Sequence, residues 1–195
     1  MVNTCERWHD GIGYDLDLIE TGSPEERSRI ETLLLSRSVD DWRDVEALAV
    51  LGTPLATARL QAVLEGVDKT ITLAVLRYAP RLFSNEQRIA TLLKALEHAG
   101  AFDVLTQVLE EIETFHPPEI VVALLRETLA GDGESAVHLA AMSMFVHGKA
   151  QSAFDWDQRP FFLRFNTEDR GERESAFIEL CEKIGVSADT YIAGH

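Results

Sequence analysis

Apolar residues recur every three or four positions along most of the chain, in runs broken by short polar turns. That period belongs to one buried face of an amphipathic α-helix and not to the alternation of a strand. Between residues 53 and 149 the runs form a larger pattern. Three consecutive stretches, 53–83, 86–116 and 119–149, superimpose at a constant period of 33 without gaps. The matching columns are largely apolar: Ala56, Ile89 and Val122; Val63, Leu96 and Leu129; Ile71, Val104 and Val137; Val75, Val108 and Ala141; Leu76, Leu109 and Met142. A further column, Leu60 and Leu93, breaks at Arg126. Each stretch carries two periodic runs separated by a turn, so each reads as a helical hairpin.

Punctuation supports the same elements. Thr53-Pro54 opens a helix with a side-chain cap and a proline that needs no amide donor, Gly66 closes it, and Asp68 caps the next. The middle unit opens at Ser84-Asn85-Glu86 and turns at Gly100. In the third, Pro117 and Pro118 start the first helix, Gly131 and Gly133 mark the turn, and the second helix runs from about Glu134 to His147. Upstream, SPEERSRIETLLLSR predicts a helix with a capping box from Ser23 to Glu26, and DDWRDVEALAVLG predicts its shorter partner, with Asp40-Asp41 as cap. This pair is a candidate degenerate fourth unit, out of the 33-residue phase. Downstream, residues 154–166 are aromatic-rich and predicted irregular, interrupted by Pro160. A last helix in TEDRGERESAFIELCEKIG should then bury Phe177, Leu180, Cys181 and Ile184. Atypical ends suit a repeat array, whose terminal apolar faces have no further neighbour.

The segments DKTITLAVLRYAPRL and ESAVHLAAMSMFVHG resemble the second helix of a HEAT or HEAT-like repeat. The resemblance covers about half the chain. It implies an all-α fold, an α-α superhelix whose concave face is built from second helices and used for protein recognition. One departure is plain: the column where HEAT repeats often carry arginine holds Thr72, Leu105 and His138. The expected organisation is a single helical-repeat domain over 1–195, with an N-terminal arm and degenerate pair (1–52), three repeats (53–149) and a C-terminal aromatic segment and capping helix (150–195).

Charge narrows the choice of partner. The chain has 195 residues, 46% of them apolar, and 33 Asp and Glu against 18 Lys and Arg leave a net charge of −15. Holding DNA or RNA takes lysines and arginines that displace counterions from phosphates, so nucleic acid is an unsuitable partner, and an anionic membrane surface is disfavoured alike. The field favours solubility, and it also favours steering a basic partner. The acids concentrate towards the ends: 13 acids and 6 bases lie in 1–66, 7 and 5 in 67–115, 13 and 7 in 116–195. No stretch approaches the roughly 18 apolar residues of a membrane span, and the N-terminus lacks a signal-like apolar run, so the expected compartment is the cytoplasm. Cys5 and Cys181 show no CxxC spacing and read as unreactive thiols.

Candidate chemistry is sparse. The six histidines do not converge in sequence; His138 and His147, nine residues apart, fall on opposite sides of one helix, and His116 before two prolines reads as a turn residue. GIGYD follows no strand and opens no helix, which makes a phosphate loop an unsuitable reading. Glu110-Glu111 reads as part of a solvated face. Two segments stand out. WHDGIGYDLD, residues 8–17, reads either as a recognition loop or as an arm whose Trp8 and Tyr14 cover the first helix pair. FDWDQRPFFLRF, residues 154–165, reads either as recognition surface or as cover for the open end. The candidate partner-binding residues are Trp8, His9, Asp10, Tyr14, Asp15 and Asp17 from the first segment and Trp156 and Arg159 from the second. Asp103, Glu110 and His138 join them from second helices. No catalytic, cofactor or metal residue is expected. The function expected is that of a binding protein, most specifically an immunity-type protein that neutralises a basic bacterial toxin. The alternatives are a structural adaptor and a HEAT-like enzyme such as a bilin lyase.

Overall fold

Short polar side chains decide where the helices begin. Ser23 accepts from the Glu26 amide while the Glu26 carboxylate accepts from the Ser23 amide, a complete capping box. Asp41, Thr53, Asp68 and Asp169 each accept from amides of the first turn they precede. Each such cap is worth about 1 kcal/mol. The computed structural model describes residues 13–66, 68–97, 102–131 and 133–193, the side chains of Phe102 and Asp103 excepted. Among the described residues all regular structure is helical, and the chain gathers into two compact units, 1–84 and 85–195. The boundary falls inside the run of 33-residue repeats, after the first of them.

In the first unit a short helix α1 (Asp17–Thr21) precedes two hairpins, α2 (Pro24–Leu35) with α3 (Trp42–Leu51) and α4 (Pro54–Leu64) with α5 (Lys69–Tyr78). First helix packs beside first helix and second beside second, α2 on α4 and α3 on α5, which makes two layers. The out-of-phase pair thus stacks on the in-phase one, first helix beside first and second beside second. Gly52 ends α3 in the left-handed conformation, φ 61°, and lets the chain turn directly into the Thr53 cap. Leu48, Leu51, Ala56, Leu60, Ile71 and Val75 form the seam between the layers.

The second unit repeats the scheme with α6 (Asn85–Leu96), α7 (Phe102–Thr114), α8 (Pro118–Ala130) and α9 (Gly133–Val146), α6 lying beside α8 and α7 beside α9. Helix α9 is buried on nearly every side, because α7, α8 and the C-terminal segment all pack on it. Its one fully buried hydroxyl, Ser143, meets Thr128 of α8 at 3.3 Å. Each also bonds the carbonyl four residues back, so neither is left unsatisfied.

Two expectations need correcting. Residues 156–165 are not irregular: a 3-10 turn (156–158), α10 (Arg159–Phe162) and a second 3-10 turn (163–165) follow each other, with Pro160 inside the first turn of α10, where its missing amide costs nothing. The C-terminal helix α11 (Arg170–Ile184) buries Phe177, Leu180, Cys181 and Ile184, but it is followed by a further turn, α12 (Asp189–Ile192). The in-phase columns also carry an exception. Val122 is 37% exposed, because the buried stripe of α8 runs through Ile120 and Leu124, and a residue two positions from both points to the far side of the helix.

Candidate functional site

Helices α7 and α9 are the second helices of the middle and third repeats, and residues 33 apart on them border one cleft. Leu105 and His138 form one such pair, Leu109 and Met142 another, and all four line a cleft of about 350 Å³. Leu105 and Met142 are buried and make the floor. Thr106, Leu109, Glu110 and Glu113 follow at intervals of three and four, the spacing that places side chains on one helix face, and they complete the α7 wall. Both carboxylates are exposed at the cleft.

The opposite wall comes from the chain after α9. Ala153 and Phe154 line it, and Phe154 is held by rings on three sides: tilted against His138 at 5.2 Å, against buried Phe162 at 5.6 Å, and edge-on to Trp156 at 5.5 Å. Trp156 is 72% exposed, and the Arg159 guanidinium lies 5.5 Å from its ring centre. Among the described residues lining the cleft, none is lysine or arginine, so its charge is carried by Glu110 and Glu113.

The candidate residues therefore separate. Glu110 and His138 meet at the cleft, and Trp156 with Arg159 adjoins it through Phe154. Asp103 belongs to α7, its side chain outside the described residues; Trp8, His9 and Asp10 also lie outside them. Tyr14, Asp15 and Asp17 belong to the first unit. There the Tyr14 hydroxyl donates to Asp44 Oδ1 at 2.8 Å, tying the arm to α3. Burial first, and then the Asp44 carboxylate, push its phenol above the ordinary range. Asp15 and Asp17 are exposed. Sequence reasoning missed Glu113 and the apolar floor, and it singled out the 154–165 segment without choosing Phe154 from it. The signal was present, since the column Thr72, Leu105, His138 is the one that departs from the HEAT pattern, and two of its three members line the cleft.

Glu111 corrects a further expectation. It does not share a solvated face with Glu110, because neighbours on a helix point about 100° apart. Its carboxylate accepts from Arg88 of α6 at 2.9 Å, and the Arg88 guanidinium lies 4.1 Å from the Phe115 ring centre. The pair is largely enclosed, which makes it a fixed part of the α6–α7 hairpin.

The second-helix face of the first unit is built differently. Trp42 of α3 and Tyr78 of α5 stack at 6.1 Å and 17°, with Arg43 4.7 Å from the Trp42 ring centre and Arg77 5.6 Å from that of Tyr78. Arg43 also bonds both oxygens of Asp41 at 3.0 Å. Glu46 stands near Gly13 and Trp42, and burial pushes its carboxyl above the usual range, partly offset by Arg77.

The remaining reactive groups are confined. Burial pushes the Cys181 thiol up to about 11, and Cys5 lies outside the described residues. His116 Nδ1 is 2.8 Å from the Ile112 carbonyl, and His147 Nδ1 is 2.7 Å from that of Ser143. Among the described residues no group of three His, Cys, Asp or Glu side chains is placed to hold a metal ion, and no helix is long and apolar enough to cross a membrane. Comparison with protein-family models, with curated proteins and with solved structures returns no match.

Proposed function

We propose that the chain is a protein-recognition module that takes a basic segment of a partner into the cleft between α7 and α9. The observation that carries this reading is the cleft itself: an apolar floor, an aromatic wall, and two carboxylates on the opposite wall, in a chain of net charge −15. Apolar floors supply affinity, while charge at the edge supplies orientation and association rate. In its most specific form the partner is a basic effector whose activity is blocked on binding, as an immunity protein blocks a toxin. That step is supported by the net charge alone. The HEAT-like resemblance supports the use of second helices for recognition.

Site-specific photocrosslinking tests the reading. A benzophenone side chain at Thr106, in the cleft, should trap a basic protein in the native host, whereas one at Glu119 on the first-helix layer should not. Raising salt from 0.05 to 0.5 M should reduce the adduct, because the charges involved are exposed; these concentrations are on the order of those that move the screening length across the size of the site. Equal trapping at both positions, or an adduct indifferent to salt, would sink the proposal. Loss of the trapped effector's activity on addition of the purified chain distinguishes neutralisation from scaffolding.

A further inference from the structure

The second unit already contains a seated arginine, and its seat resembles the cleft. Arg88 rests its guanidinium over Phe115 at 4.1 Å while Glu111 accepts from it at 2.9 Å, an aromatic face and a carboxylate closing on one planar cation. The cleft presents the same two surfaces to the outside. Phe154 forms one wall, fixed by His138 and Phe162, and Glu110 and Glu113 stand on the other. Beside it Arg159 lies against exposed Trp156, so the aromatic surface continuing from Phe154 accepts a guanidinium as well. A planar guanidinium gains from stacking and from forked hydrogen bonds to carboxylates, which a compact ammonium cannot match. The size agrees: about 350 Å³ is at the small end of ligand clefts, room for an anchoring side chain and its neighbour and too little for a whole helix.

We infer that the cleft is an arginine-anchor site: one arginine of the protein partner lays its aliphatic stem on Leu109 and Met142 and its guanidinium between Phe154 and the Glu110 and Glu113 carboxylates. The inference rests on the recognition reading above and names the side chain recognised. It commits to an arginine within a polypeptide, whose α-amino and α-carboxyl groups are amides.

The test uses the full chain labelled with ¹³C at its methionine methyl groups, the Met142 signal being assigned by Met142→Leu. Nα-acetyl-arginine amide is titrated against Nα-acetyl-citrulline amide, its uncharged near-isostere, and against Nα-acetyl-lysine amide. The Met142 signal should shift saturably with the arginine probe, about tenfold more tightly than with citrulline, a ratio equivalent to 1.4 kcal/mol. Lysine should fall between them. Glu110→Gln with Glu113→Gln should erase the preference over citrulline, and Thr106→Trp, which fills the cleft from an exposed position, should abolish the shift. Equal response to arginine and citrulline overturns the inference, as does a shift surviving Thr106→Trp. Free L-arginine binding tenfold more tightly than the blocked amide also overturns it, by marking an amino-acid site. If the Thr106 crosslink still traps a salt-sensitive partner after any of these results, recognition stands and only the arginine anchor fails.

Discussion

The two units expose the same structural surface, the face of their second helices, and finish it in opposite ways. In the first unit α3 and α5 close their face from within. Trp42 stacks on Tyr78, Arg43 clamps Asp41, and Tyr14 reaches from the N-terminal arm to Asp44, so aromatic and charged groups are consumed by one another. In the second unit α7 and α9 border a cleft that Ala153 and Phe154 also line, with Leu105 and Met142 buried beneath it and the exposed Glu110 and Glu113 at its side. The difference comes from side-chain size. Two large rings, Trp42 and Tyr78, meet across α3 and α5, whereas Leu105, Leu109, His138 and Met142 border a cleft that Phe154 lines as well. A shared scaffold thus gives one self-satisfied face and one open face, and the open one is where binding is proposed.

The largest expected effect comes from removing what holds the open cleft's wall. Phe162 is fully buried and supports Phe154, so Phe162→Ala should cost about 3–5 kcal/mol in a urea titration. It should also abolish the crosslink at Thr106. Next is the closed face. Tyr14→Phe deletes a donor to the buried Asp44 carboxylate and should cost about 1–3 kcal/mol by the same measurement, with no change in partner capture. A loss of capture instead would mean that the first face also binds.

Glu110→Gln with Glu113→Gln should leave stability within about 0.5 kcal/mol, since both side chains are exposed, while weakening partner binding about tenfold or more. A large stability loss would show the carboxylates to be structural, like Glu111. The smallest effect is expected at Glu46. Its carboxyl is raised by burial, so the folded state favours the protonated form, and that contribution is present at low pH and lost as pH rises through the folded value. Glu46→Gln should therefore stabilise at pH 7 within about 0.5 kcal/mol. The gain should vanish below the ordinary glutamate range, as melts across pH 3–8, a span of roughly this range, would show.

Much of the fold was legible because its determinants are local. Ser23, Thr53 and Asp68 act on amides two or three residues away, and the stripes through Leu60, Val75, Val108 and Leu124 follow from helical period alone. Period and punctuation could not place Val122, whose column is apolar in sequence yet faces outward on α8. They also could not separate Glu110 from Glu111. The two are alike in type and adjacent in the chain, and what divides them is Arg88, which arrives from another helix.

The sequence by itself determined the helices, their pairing into hairpins, the repeat period and the sign of the charge, because each depends on residues near in the chain or on a simple sum. Tertiary structure alone decided which second-helix face is closed and which is open. Leu105 and His138, or Leu109 and Met142, become neighbours only when α7 and α9 pack, and Phe154 completes the cleft only because the chain after α9 folds back over it. Shape between elements is set by how side chains from distant positions fill or fail to fill a shared space, and no local pattern carries that information.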